Sequence, residues 1–212
     1  MSILKIMLID MRRCRIQLLL MLFFLLIAIF MASSGTGIAY LTFAAIILAT
    51  QPFLYEQRSE AGFICMLPST LQERVAGRYL FGMFLMFLML VESFLMNGIL
   101  LLTEHETIEY FLPQIGIYWG IGMIIIAFQY ILFYALGKIK RQQLTGILVM
   151  LPGFAVFILA SLLPEYINTM DILQWMITNL HTIAKILPAA AIVLWGIAIG
   201  ISIQIAKKKD FV

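Results

Sequence analysis

The sequence predicts an all-α integral membrane protein with six transmembrane helices and both termini in the cytoplasm. Of its 212 residues, 63% are hydrophobic, and most of these gather in six apolar runs. Thirteen of the fourteen Lys and Arg residues fall in four short segments that alternate with pairs of those runs. The segments hold Lys5, Arg12, Arg13 and Arg15; Arg58, Arg74 and Arg78; Lys138, Lys140 and Arg141; and Lys207, Lys208 and Lys209. Short loops rich in Lys and Arg stay cytoplasmic, so all four segments belong on one face and the number of crossings is even. Only Lys185 lies elsewhere.

The runs are Ile16 to Ala32, Ile38 to Tyr55, Tyr79 to Leu102, Ile115 to Leu136, Leu144 to Leu163 and Ile186 to Ala206. Each is 17 to 24 residues long, close to the roughly 20 residues a helix needs to cross ~30 Å of hydrocarbon. They take up 122 residues, which leaves one transmembrane domain over 1–212 and little for any soluble domain. The first run is expected to be retained as a span, because no small-x-small cleavage site precedes Ser33.

The connecting segments follow in order. Residues 1–15 interleave Ile3, Leu4, Ile6, Met7 and Met11 with Lys5, Asp10, Arg12 and Arg13, the pattern of a short helix lying in the membrane interface. Ser33 to Gly37 makes a minimal outer turn between the first two spans. Thr103 to Gln114 reads as an acidic outer loop with Glu104, Glu106 and Glu109. His105 and Glu106 begin a zinc-peptidase-like pattern, but Glu109 stands where the second histidine is needed, so no metal site is expected. Pro164 to Lys185 repeats apolar residues at Tyr166, Met170, Leu173, Ile177 and Leu180, which predicts an outer amphipathic helix with Trp175 at headgroup level. Cys14 and Cys65 are both assigned to the reducing side, and no disulfide or nucleophile is expected.

Within the spans, Gly116 with Gly120 and Gly196 with Gly200 are small-xxx-small pairs that let helices approach closely. Pro152-Gly153 should bend the fifth span. Glu92 falls near mid-bilayer in the third span, where an ionised carboxylate costs at least ~2.5 kcal/mol. It is a candidate for the translocation path, together with Met89 and Met96 on the same helix. Its structural alternative is a hydrogen bond to a neighbouring helix.

The cytoplasmic loop from Glu56 to Arg78 carries Leu67-Pro68-Ser69-Thr70-Leu71-Gln72-Glu73-Arg74-Val75-Ala76-Gly77-Arg78-Tyr79. Thr70 and Glu73 form a capping box, so a short helix begins just after Pro68 and offers Gln72, Glu73 and Arg74 to a soluble partner. This stretch resembles the loop between the second and third spans in the permeases of type-2 ATP-binding-cassette exporters, in particular small six-span bacterial members. Leu67, Pro68, Thr70, Glu73, Val75, Arg78 and Tyr79 match the pattern, while Leu71 and Arg74 depart from it.

The resemblance implies a bacterial cytoplasmic-membrane permease that pairs with a second permease chain, identical or paralogous, and with cytoplasmic ATPase subunits. Pro68, Thr70, Gln72, Glu73, Arg74 and Arg78 would then form the ATPase-coupling helix. It also implies export of an amphipathic peptide, toxin or antimicrobial, or resistance to one. No Gly-x-x-x-x-Gly-Lys-Ser/Thr loop is present, so no cofactor is expected in this chain, and ATP and Mg would be bound by the partner. No catalytic residue, metal ligand or nucleic-acid partner is expected. An ATP-independent secondary transporter or channel using Glu92 as a proton or ion site is the alternative. An intramembrane hydrolase is disfavoured because no span contains a histidine.

If the Lys/Arg asymmetry sets orientation, cysteines placed at Ser34, Glu106 and Asp171 will react with an impermeant thiol reagent added outside. Native Cys65 will stay unlabelled. Labelling of Cys65 with protection at position 106 would invert the map.

Overall fold

The computed structural model describes residues 3–32, 36–57, 69–104, 108–136, 144, 146–155, 158 and 178–209. Every element among them is a helix: α1 Ile3–Arg13, α2 Arg15–Ala32, α3 Gly37–Ala49, α4 Gln51–Gln57, α5 Leu71–Glu104, α6 Ile108–Ala135, α7 Gly146–Ala155 and α8 Leu180–Lys209. Four stretches are long and apolar enough to cross a membrane: Gly37–Leu54, Leu71–Leu102, Phe111–Ala135 and Leu180–Lys208. The bent pair α1 and α2 adds a fifth if it is counted as one span. Among the described residues the fifth predicted run contains the short apolar helix α7.

The N-terminal helix is a separate element that turns 70° from α2. Other boundaries differ from expectation. The predicted second span breaks at Thr50, because Pro52 cannot continue the backbone ladder there. The predicted short coupling helix is not separate: α5 runs unbroken from Leu71, since no proline interrupts it. At 1.5 Å per residue its 34 residues reach about 51 Å, so some turns project beyond ~30 Å of hydrocarbon. The predicted acidic outer loop shrinks, because α6 begins at Ile108 and passes through Pro113. Likewise the last helix begins at Leu180, before Ile186. The amphipathic stripe from Tyr166 to Ile177 lies outside the described residues.

Side-chain contacts give the helix directions. Gly82 lies against Tyr130 and Ile126, and Met86 against Gly122, so α5 and α6 are antiparallel. The pairs Gly116–Ala184 and Gly120–Leu187 make α8 parallel to α6. Thr42 beside Gly122 and the Ala49 carbonyl beside Tyr130 make α3 parallel to α6 as well. Gln129 meets Leu148 while Phe43 meets Gly153 and Phe154, so α7 runs the opposite way. Gly77 packs on Ile6 of α1. The first turns of α5, the last turns of α6 and α8, and α1 and α4 therefore gather at one basic end of the bundle.

Association of helices in lipid depends on close packing, since lipid is as apolar as leucine. An added Cβ at Gly116 would sit 2.8 Å from the Ala184 carbonyl oxygen, and one at Gly120 would sit 2.8 Å from Leu187 Cγ. This small-xxx-small pair is thus consumed inside the chain, joining α6 to α8. Gly196 and Gly200 meet nothing within 4 Å. They lie on the outward face of α8 among exposed Val193, Ile197 and Ile201. The pairs should respond oppositely to a single methyl group. Gly116→Ala must push on backbone and is expected to lower the thermal midpoint, by the equivalent of ~1–3 kcal/mol. Gly200→Ala should be neutral or stabilising, because alanine is the better helix former. Thermal unfolding of both variants in detergent checks the contrast.

Candidate functional site

The start of α5 is built as a capping box. Thr70 N–H donates to Glu73 Oε2 at 2.8 Å, and Glu73 N–H donates back to Thr70 Oγ1 at 3.3 Å. The Thr70 hydroxyl also donates to Glu73 Oε2 at 3.1 Å. Hydrogen bonding from the Thr70 amide holds the Glu73 carboxyl below the ordinary carboxylate range. Arg74 folds back on the same corner, donating from Nε to Ser69 Oγ and from Nη2 to the Ser69 carbonyl, each at 3.2 Å. Gln72 and Thr70 are exposed, while Glu73 and Arg74 are half-buried. Four of the six predicted coupling residues, Thr70, Gln72, Glu73 and Arg74, therefore stand together on the first turn. Pro68 lies outside the described residues.

Arg78 points the other way. It is 4% exposed, and its guanidinium lies 4.5 Å from the ring centroid of Phe53 in α4. At the α1–α2 corner, buried Cys14 lies within electrostatic reach of Asp10, Arg13 and Arg78. A cation over an aromatic face is stabilised in surroundings that would otherwise reject its charge. Arg78 is thus an anchor of the basic end, not part of the surface that Gln72 presents.

Directly after it, Tyr79 is fully buried and joins three helices. Its hydroxyl shares a 2.8 Å hydrogen bond with Ser202 Oγ and lies 3.2 Å and 3.5 Å from the carbonyls of Ala198 and Ala127. Its ring packs edge-on against Tyr130 at 5.0 Å and Trp195 at 5.4 Å. Sequence reasoning missed this cluster. Three aromatic residues on three distant segments give no local signal until the helices are docked.

Glu92, Met89 and Met96 lie on the buried face of α5. Glu92 is 2% exposed, and neither carboxyl oxygen has a hydrogen-bond partner among the described residues. Ser93 and Asn97 on the same helix, and the Trp119 indole N–H on α6, are buried and unpaired as well. All three candidate path residues are buried in this conformation. Among the described residues no group of three or more His, Cys, Asp or Glu could hold a metal ion.

The family model described as "ABC-2 family transporter protein" matches residues 3–207. No curated protein and no solved structure matches the chain.

The cap geometry predicts a separable effect. Thr70→Ala with Glu73→Ala removes the reciprocal hydrogen bonds at ~1 kcal/mol per lost cap, too little to prevent insertion. Circular dichroism should show a normally helical protein, and a spin label at Gln72 should become more mobile. Unchanged label mobility would mean that the cap does not order this turn.

Proposed function

The chain belongs to the ABC-2 family of transporter proteins, and from that footing we propose that it is the membrane permease of an ATP-driven exporter for amphipathic peptides. In this reading the basic end faces the cytoplasm, the chain crosses six times, and a separate ATPase subunit supplies the energy with bound ATP and Mg. A second permease chain completes the path. The cargo class rests on the resemblance alone.

The observation that carries the reading is the start of α5. A capped, polar first turn is continuous with a helix of 34 residues, so displacement at Gln72 travels down α5 without an intervening joint. Arg78 on Phe53 and Tyr79 against Ala127, Ala198 and Ser202 then pass it to α4, α6 and α8. Closure of the ATPase pair against this turn would tilt α5 with the helices locked to it. Glu92, Met89 and Met96 would reach the cargo only after such a rearrangement, since they are enclosed here.

Purification from the source membrane under mild detergent should bring an ATPase subunit along with the chain. With that complex, Arg74→Glu is expected to leave the permease inserted but to lower transport-coupled ATP hydrolysis, while Glu104→Lys at the far end of α5 leaves it intact. Glu92→Gln should keep assembly and alter export of a cationic amphipathic peptide. If no ATPase co-purifies and Glu92→Gln abolishes a pH-driven flux, the ATP-independent transporter is the correct reading instead.

A further inference from the structure

Proline breaks in two helices are repaired by adjacent residues of α6, but in different ways. In the stretch Gly37–Leu54 the break at Thr50 is closed several times over. Phe53 N–H bonds to the Thr50 carbonyl at 3.0 Å, Thr50 Oγ1 donates to the Ile47 carbonyl at 2.7 Å, and the displaced Ala49 carbonyl accepts from Tyr130 Oη at 2.7 Å. Phe53 also stacks on Phe133 at 4.8 Å. That joint is fixed. In α7, Pro152 has no N–H to offer the Leu148 carbonyl one turn earlier. Hydrocarbon has no water to take its place. The donor is the side-chain amide of Gln129, at 2.7 Å.

This second repair hangs on one side chain. Gln129 is 1% exposed, and its other amide atom, Oε1, is buried without a partner. The residue after the proline, Gly153, carries no side chain where a Cβ would lie 2.7 Å from the Phe43 ring, so the helix can lie against α3 only because that position is glycine. A helix missing one internal hydrogen bond, with glycine at the break and a neighbour's amide filling the gap, has the parts of a latched hinge. We propose that Gln129 is a positioning residue that latches α7 to α6 at a hinge formed by Pro152 and Gly153, and that the latch opens when the transporter changes state. This deepens the transporter reading, but the latch itself is a property of the single chain.

The test is a double-mutant cycle on the full chain in nanodiscs, read by hydrogen exchange of the α7 amides. Gln129→Leu should raise exchange in residues 147–155 by roughly threefold or more, the size of an average interhelical hydrogen bond in a membrane. Pro152→Ala restores the missing N–H, so Gln129→Leu in that background should have no effect on exchange. An equal effect in both backgrounds, or none in either, would overturn the latch. Spin labels separate a hinge from general loosening. In Gln129→Leu the distance from position 128 to 158, across the proline, should broaden, while 128 to 147, before it, should not. Broadening of both pairs sinks the hinge.

State dependence is read on the co-purified complex. Trapping with Mg-ATP and vanadate should raise exchange in 147–155 of the wild type, and unchanged exchange would refute opening during transport. Absence of an ATPase defeats the exporter reading but leaves the cycle on the isolated chain to decide the latch.

Discussion

A carbonyl left without its helical N–H inside hydrocarbon must find another donor or the helix cannot remain there. The arrangement of this bundle follows from that constraint. Proline interrupts the ladders at Pro52 and Pro152, and the donors that restore them, Tyr130 Oη and Gln129 Nε2, are consecutive residues of α6. Consecutive residues of a helix point about 100° apart, so one turn of α6 can serve helices on two sides of itself. That places α6 between α3 and α7 and fixes the register of each against it. The Tyr79 hydroxyl, between the Ala127 and Ala198 carbonyls, makes a similar polar contact on a third side.

Small residues then decide how near the helices come. Gly116 and Gly120 let the α8 backbone lie against α6 at distances no side chain allows, including the Ala184 carbonyl that Pro188 leaves without its ordinary donor. Close approach there permits weak Cα–H contacts to that oxygen. On the opposite face of α8, Gly196 and Gly200 have no such neighbour among the described residues. The same spacing therefore serves as a packing surface in one helix and as an open surface in another.

The basic end combines two properties that a transmitted movement requires. The first turn of α5 is ordered yet accessible, with Thr70 bonded to Glu73, Arg74 bonded to Ser69 and Gln72 left outward. One turn later Arg78 and Tyr79 are buried against α4, α6 and α8. Exposure at Gln72 and anchorage at Arg78 are thus separated by about 9 Å along one helix. Further along α5, Glu92, Ser93 and Asn97 are buried polar groups without partners among the described residues. A group of that kind is costly to keep in a static core.

The sequence by itself determined the all-helical membrane class, the short N-terminal helix and the capping box at Thr70 and Glu73. Each rests on local pattern: apolar length, the placement of Lys and Arg, and a three-residue spacing that a helix start requires. It also located the prolines and glycines. Only the tertiary structure decided what those residues do, because the partner of a freed carbonyl or a bare glycine lies on a different helix. Nothing near Pro152 in sequence indicates Gln129, and nothing local distinguishes Gly116 from Gly196. The resemblance assigns Arg78, with Gln72, Glu73 and Arg74, to the coupling helix, yet Arg78 lies over Phe53, since charge pattern alone does not say which face of a helix meets the bundle. The continuity of α5 was likewise hidden, because a cap signals where a helix starts but not how far it runs.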